Sequence, residues 1–289
     1  MPRVALGTLG ETMPRDPPGT LGETVRGAVP SWLVPVFRGI TRLGNLGLVL
    51  VAFAVDYWFV DRERGAHAIG VVVAGTALLV ALKHAFAAPR PPASVGVVSA
   101  GGHGFPSGHA MGAAIAYGAL AADLDAGSPR ARYTAATAVV VLIALSRVVL
   151  GVHFVRDVFA GVAFGLAFLV VAFRLTGREP ELAFPLAVAT GLLAVAVSGA
   201  GRDAVACLGL AVGATAAWEI GGDGSPLDRP SERPTVAAGL FPLFAAAGAV
   251  ALAAGSRSAA VFALAAALGV GLVAPPGLRG RVGSGPVPA

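Results

Sequence analysis

The chain has 289 residues and a formal net charge of +5, with 56% hydrophobic residues and only 13% charged residues. Soluble globular domains carry about 25% charged residues, and the mean hydropathy here is +0.77, so a soluble enzyme is excluded. The basic residues are scattered through short connections, which excludes a nucleic-acid-binding face. Repeated apolar runs of membrane-spanning length predict an all-α fold, a polytopic bundle of transmembrane helices.

The N-terminal segment differs from the rest of the chain. Residues 1–28 are polar and contain the hexapeptide Gly-Thr-Leu-Gly-Glu-Thr twice, at 7–12 and 19–24, and we expect a disordered tail here. At 31–44, apolar and polar positions alternate in a way that suits a short helix lying in the membrane interface. The same pattern also suits the frayed start of the first span, and the sequence leaves both interpretations open.

The remaining chain divides into apolar runs separated by polar connections. We expect a core at 29–176 with about five spans, and about four further C-terminal spans at 177–289 whose role the sequence does not indicate. The predicted spans are 45–61, 66–86, 107–122, 133–150, 153–173, 183–200, 204–220, 235–254 and 258–274.

Three polar motifs lie at the ends of the core spans, at residues 83–91, 106–109 and 146–157. The connections after the second and fourth spans lie on the same side of the membrane, and the third span begins on that side. The three motifs therefore converge at one membrane face. Ionisable groups at such a boundary are costly and indicate a functional site, and the mostly positive charges predict an anionic ligand.

Two histidines and one aspartate suggest catalysis. His153 and Asp157 are four residues apart at the predicted start of a helix, so their side chains would share one face. The carboxylate would orient the imidazole and leave its other nitrogen free as a nucleophile. His109, at the start of another helix, would protonate the leaving oxygen.

The other motif residues suit phosphate binding. Ser107 and Gly108 open a helix, where free backbone N–H groups and the helix dipole favour an anion. Lys83, Arg90 and Arg147 would supply positive charge to the phosphoryl oxygens. The remaining histidines are expected to be interfacial, packed or, in the case of His103, solvated in a loop.

Lys-x6-Arg-Pro, Pro-Ser-Gly-His and Ser-Arg-x5-His-x3-Asp, in this order, resemble the type 2 phosphatidic acid phosphatase superfamily, which includes lipid phosphatases and vanadium haloperoxidases. The resemblance covers residues 30–175. It implies hydrolysis of a phosphomonoester or diphosphate without metal or other cofactor, through a phosphohistidine on His153. It also implies orientation by Asp157 and leaving-group protonation by His109. The implied phosphate ligands are Lys83, Arg90, Ser107, Gly108 and Arg147.

The predicted function is therefore that of an integral-membrane lipid phosphatase whose partners are its lipid phosphate substrate and the surrounding membrane lipids. Phosphatidic acid, phosphatidylglycerol phosphate and polyprenyl diphosphate all fit, and the short loops favour the last. A non-enzymatic transport or lipid-binding protein that uses the same basic pocket is the alternative. The oligomeric state is not predicted.

Arginines in the connections predict the orientation. The positive-inside rule places the side richer in Lys and Arg in the cytoplasm. When the motif residues and Arg156 are left out, the connections on the motif side contribute Arg202 and Arg257, together with Arg38 and Arg42 if the segment 31–44 is counted. The opposite side contributes Arg62, Arg64, Arg130, Arg132, Arg174, Arg178, Arg229, Arg233, Arg279 and Arg281. The site is therefore expected on the extracytoplasmic face.

Overall fold

A computed structural model of the chain describes residues 21–92, 96–98, 100–221 and 256–273. All regular structure in these residues is helical, with a single 3-10 turn at Ser31–Leu33. The α-helices are α1 (Leu21–Ala28), α2 (Val34–Arg42), α3 (Leu46–Phe59), α4 (Arg62–Phe86), α5 (Gly108–Asp123), α6 (Pro129–Val149), α7 (Val155–Thr176), α8 (Pro180–Ser198), α9 (Arg202–Gly221) and α10 (Ser256–Val273).

Four of the described helices, α4, α6, α7 and α8, are long and apolar enough to cross a membrane. The segment 31–42 and α3 are bent by 47° relative to each other and add a fifth crossing if they form one broken span. The prediction of an all-α membrane bundle is thus confirmed. With 16 residues, α5 is shorter than the predicted third span requires. The predicted span at 235–254 lies outside the described residues.

Helix α4 is the centre of the bundle. Almost every residue from Gly65 to Ala77 is buried, and α4 packs against α3, α5, α8 and α9. Small residues allow these close approaches, as in other membrane helix pairs. A Cβ atom at Gly70 would lie 2.8 Å from the Cβ of Ala183 on α8. The C-terminal helices α8 and α9 therefore share one core with the helices that carry the motifs.

The expectation of a disordered tail is wrong for residues 21–28, which form α1. Leu21 and Val25 are four residues apart and lie on one helical face. Val25 packs beside Ala144 and Val148 of α6. Packing against another helix stabilises α1, and this contact leaves no signal in so short a polar segment. Residues 1–20 lie outside the described part of the chain.

The end of the bundle far from the motifs carries ion pairs. Arg64 holds Asp56 through two hydrogen bonds, of 2.9 Å from Nε and 2.5 Å from Nη2. Arg178 Nε lies 3.2 Å from Asp123 Oδ1. These pairs connect α3 with α4, and α5 with the turn between α7 and α8. They neutralise carboxylates that would otherwise be costly near the lipid.

Candidate active site

His153 is the most deeply buried of the predicted catalytic residues, with 1% of its surface exposed. Its Nε2 lies 3.1 Å from Nη1 of Arg90, which also donates to the carbonyl oxygen of Val152 at 3.0 Å. A guanidinium group can only donate hydrogen bonds. Nε2 therefore accepts, and the proton of the neutral imidazole is on Nδ1. This tautomer presents the Nε2 lone pair to the space that Arg90 faces.

Asp157 lies on the other side of the His153 ring. Its Oδ2 is 3.4 Å from Nδ1, but Nδ1 has no hydrogen-bond partner among the described residues, so the contact is electrostatic rather than an aligned hydrogen bond. The same Oδ2 accepts a 2.9 Å hydrogen bond from the backbone N–H of Phe154. Asp157 is thereby fixed in the first turn of α7.

One detail of the sequence analysis is wrong. His153 is not on the helix with Asp157 but two residues before α7 begins. Gly151 has a φ of +69° and Phe154 is extended, so the chain turns between α6 and α7 before the helix starts. The turn, and not helical periodicity, brings the two side chains together.

The charges around His153 favour its neutral form. Burial holds the pKa of His153 well below its ordinary value, and the positive charges of Arg90, Arg147 and Lys83 act in the same direction. Burial also lowers the pKa of Arg90, although a guanidinium remains charged in proteins. The cluster thus combines a neutral imidazole with three fixed cations.

The start of α5 is bonded directly to the start of α7. The backbone N–H of Ser107 donates to the carbonyl oxygen of Asp157 at 2.9 Å. Gly161 on α7 makes this approach possible, since a Cβ there would lie 2.6 Å from the Ser107 carbonyl oxygen. The Ser107 hydroxyl is fully buried and has no hydrogen-bond partner among the described residues. A buried unpaired hydroxyl beside a helix N-terminus is available to an anion.

Gly108 brings the start of α5 close to Lys83. A Cβ at Gly108 would lie 2.9 Å from Cδ2 of Leu79 and 3.7 Å from Cε of Lys83. The Lys83 ammonium group donates a 2.7 Å hydrogen bond to the carbonyl oxygen of His103. A side chain at 108 would therefore displace the Leu79 side chain and lie in contact with Lys83.

The loop between α4 and α5 is held by the same cations. Arg90 Nε donates to the carbonyl oxygens of Gly101 at 2.9 Å and Gly102 at 3.1 Å. His103 is half-buried rather than solvated, and its ring lies edge-on to His84 with centroids 5.3 Å apart. Burial, His84 and Lys83 all lower the pKa of His103. His103 contacts Lys83 through its backbone carbonyl group. Every residue has this group, so the sequence could not predict the contact.

Arg147 connects the site to α2, a helix that contains none of the three motifs. It is 7% exposed, and its Nη1 donates a 2.6 Å hydrogen bond to the hydroxyl of Thr41 on α2. Its Nε is buried without a partner in the described part of the chain. Thr41 is not among the predicted site residues. The polar positions of segment 31–44 are the sequence feature that could have indicated it. That segment forms a distinct helix against α6.

His109 lies in the first turn of α5 and is half-buried. A Cβ at Gly44 would lie 3.2 Å from its Cδ2, so the junction of α2 and α3 covers one side of the ring. Burial lowers the pKa of His109, and the positive charges of Arg147, Lys83 and Arg90 act in the same direction, as they do on His153. The structure thus gathers all the predicted site residues: Lys83, Arg90, Ser107, Gly108, His109, Arg147, His153 and Asp157. The described residues contain no group of three or more His, Cys, Asp or Glu arranged to hold a metal ion.

Comparison with known proteins identifies the family of the chain. The PAP2 superfamily matches residues 65–181, a range that contains every predicted site residue. Phosphatidylglycerophosphatase B of Bacillus subtilis (strain 168) is 36% identical over 154 residues, which cover 49% of this chain and 75% of the relative. The chain belongs to the PAP2 superfamily. Within that superfamily it is an integral membrane phosphatase.

Two solved structures of PAP2 proteins are also similar. The crystal structure of the first transmembrane PAP2 type phosphatidylglycerolphosphate phosphatase from Bacillus subtilis is 27% identical, covering 60% of this chain and 92% of that chain with a TM-score of 0.47. Aquifex aeolicus LpxE is 24% identical, covering 53% of this chain and 93% of that chain with a TM-score of 0.47.

Proposed function

We propose that this PAP2 protein removes a terminal phosphate from a lipid phosphate at the membrane surface, with His153 as the nucleophile. The observation that carries the proposal is the state of His153. Its imidazole is buried, neutral and held by Arg90 in the tautomer that presents Nε2. A carboxylate lies on the Nδ1 side. The similarity to phosphatidylglycerophosphatase B favours a phosphatidylglycerol phosphate as the substrate.

The first step transfers the phosphoryl group to the enzyme. As the substrate binds, Arg90 transfers its hydrogen bond from Nε2 of His153 to a phosphoryl oxygen. The freed Nε2 attacks phosphorus, a P–N bond forms, and the P–O bond to the lipid breaks. The bound phosphate, whose negative charge raises the pKa of His109, keeps this imidazole protonated. His109 gives its proton to the leaving oxygen, so that the lipid leaves as an alcohol. The phosphorylated imidazole carries a positive charge, which the Asp157 carboxylate stabilises through Nδ1–H.

The second step releases phosphate. Neutral His109 now accepts a proton from a water molecule, whose oxygen attacks phosphorus. A P–O bond forms and the P–N bond breaks, which returns His153 to its neutral form and His109 to its protonated form. Inorganic phosphate is the second product, and no redox change or co-reactant other than water is required.

The fixed cations stabilise the transferring group. Charge spreads over the three equatorial oxygens in the transition state, and Lys83, Arg90 and Arg147 converge on the region that His153 faces. The buried Ser107 hydroxyl and the first N–H groups of α5 supply neutral donors. Removing one such donor from a buried site typically costs about 3–4 kcal/mol of transition-state stabilisation.

A transport or lipid-binding protein would need the cations but not two imidazoles and an orienting carboxylate. The catalytic arrangement therefore favours hydrolysis over binding alone. Polyprenyl diphosphate and phosphatidic acid stay in the set of substrates to be compared, because the phosphate-binding groups alone do not select the lipid. The excess of arginine on the side opposite the site supports an extracytoplasmic active site.

Phosphate release by purified protein tests the proposal. Wild type should release phosphate from phosphatidylglycerol phosphate, phosphatidic acid or polyprenyl diphosphate in detergent with a metal chelator present. His153→Ala should release none while it unfolds at a temperature close to that of wild type. Turnover by His153→Ala near the wild-type rate would refute the nucleophile, and no release from any of the three lipids by wild type would refute the function.

A further inference from the structure

A cavity of about 280 Å³ lies between α3, α4 and α5 and is lined by His109. The part of its lining nearest the phosphate site is formed by Gly44 and Asn45 before α3 and by Gly108 and His109 at the start of α5. Apolar side chains form the deeper walls: Leu46, Val49, Val72, Leu79, Met111 and Ile115. None of the predicted site residues other than Gly108 and His109 lines it.

The cavity leads from the level of the phosphate site into the apolar part of the bundle. Along α5 it extends from His109 to Ile115, and along α4 from Leu79 to Val72. At 1.5 Å per helical residue, both runs correspond to about 10 Å. Thr76 does not make the wall polar, because its hydroxyl donates to the carbonyl oxygen of Val72 within the same helix.

Gly112 keeps one wall of the cavity open. A Cβ added at Gly112 meets no atom within 4 Å, whereas one at Gly75 on the opposite wall would lie 2.5 Å from Cδ1 of Ile115. The space in front of Gly112 is therefore free volume beside His109 and not a packing contact between helices. A Cβ placed there meets no neighbouring atom, and a longer side chain at this lining position would occupy part of the cavity.

We propose that this cavity binds a hydrocarbon segment of the lipid leaving group, an inference that rests on the proposed function. In phosphoryl transfer the attacking and leaving atoms lie roughly in line on opposite sides of phosphorus. His153 attacks and His109 protonates the leaving oxygen, so the lipid extends from phosphorus on the side of His109. His109 lines the cavity at that position, and the apolar walls of the cavity suit hydrocarbon.

The volume of the cavity limits how much of the lipid can bind in it. A cavity of about 280 Å³ lies just below the usual range for sites that enclose a whole ligand, about 300–1,000 Å³. It accommodates a segment of one chain near the ester oxygen, while the rest of the lipid stays in the bilayer. The cavity therefore contributes chain recognition close to the scissile bond.

A series of linear alkyl phosphates from ethyl to octyl phosphate tests the inference in wild type, Gly112→Leu and Gly112→Ala. In wild type, kcat/KM should rise with chain length, by up to about fourfold for each methylene that becomes buried. Gly112→Leu should remove most of this rise and keep the ethyl phosphate rate. Gly112→Ala, the matched control, introduces a Cβ without filling the cavity and should behave as wild type.

Partition of longer chains into detergent affects all three proteins equally, so the difference between variants reports the cavity. An unchanged chain-length dependence in Gly112→Leu would overturn the inference while leaving the proposed function intact. Absence of hydrolysis of every alkyl phosphate and every lipid by wild type would instead refute the proposed function.

A second variant covers the case in which Gly112→Leu fails to fold. Val49→Ala enlarges the same cavity and should raise the rate for 3,7-dimethyloctyl phosphate relative to octyl phosphate by several-fold. The same ratio as in wild type would count against the cavity as the chain site. Inhibition by vanadate, which needs only the phosphate site, should be equal in all variants and confirms that each is folded.

Discussion

Nη1 of Arg90 and Nε2 of His153 lie 3.1 Å apart, although 63 positions separate the two residues in the chain. Arg90 also donates hydrogen bonds to the carbonyl oxygen of Val152, beside His153, and to that of Gly101 in the loop before α5. One side chain therefore fixes the imidazole tautomer and shapes the surrounding backbone. Both effects depend on a planar group with several donors.

Arg90→Lys keeps the charge and loses the fork of donors. We expect kcat/KM to fall by roughly a hundredfold or more, as when one donor is removed from an oxyanion site. Steady-state kinetics with a lipid phosphate measure the effect. Arg38→Lys is the matched control, because Arg38 is exposed and donates to the loop carbonyl of Val97. Equal losses in both variants would show that the effect does not depend on the contact with His153.

Asp157→Asn separates the orientation of His153 from the capping of α7. The amide oxygen of Asn still accepts from the backbone N–H of Phe154, but the negative charge beside Nδ1 is lost. We expect kcat to fall at least tenfold with little change in KM or in unfolding temperature. Asp157→Ala should lose a similar amount of activity and, in addition, about 1 kcal/mol of stability. An Asn variant with wild-type kcat would contradict the electrostatic role of this carboxylate.

Thr41 acts on the site through Arg147. Thr41→Val removes the hydroxyl that accepts the 2.6 Å hydrogen bond and leaves a buried guanidinium donor without a partner, which costs about 1–3 kcal/mol. We expect KM to rise several-fold more than kcat falls, because Arg147 is proposed to bind phosphate. Thr41→Ser retains the hydroxyl and should restore both constants. A Ser variant as impaired as the Val variant would indicate a packing role instead.

The orientation of the site can be read from single cysteines in a Cys207→Ala background. Gly101→Cys lies in the exposed loop of the site, where a Cβ has open space, and Asp125→Cys lies in the exposed turn between α5 and α6. A membrane-impermeant thiol reagent added to intact cells should label the first and not the second. Labelling of position 125 alone would place the site in the cytoplasm.

The sequence was sufficient to predict which side chains meet at one membrane face, because this depends only on the order of the helices. Lys83 lies in the last turn of α4, His109 in the first turn of α5 and Arg147 in the last turn of α6, so alternate crossings bring them to one face. The turn before α7 was missed, because the pattern did not show that Asp157 caps the backbone of Phe154.

Other features depend on tertiary contacts that leave no local pattern. The bond between Thr41 and Arg147 joins residues 106 positions apart. The bond from Lys83 ends on a backbone carbonyl. Helix α1 is stabilised by the side of α6 that it covers. None of these contacts alters hydropathy or residue spacing, and they emerge only when the helices are packed.

The position of α4 has a consequence for any shortened form of this protein. Lys83 lies in the last turn of α4, and this helix packs against α8 and α9 as well as against α3 and α5. A Cβ at Gly201, between those two helices, would lie 3.6 Å from Nε2 of His84, the neighbour of Lys83. Truncation at residue 176 would keep all three motifs but remove α8 and α9, which pack against α4 and so fix the position of Lys83. We therefore expect a fragment that ends there to have low phosphatase activity.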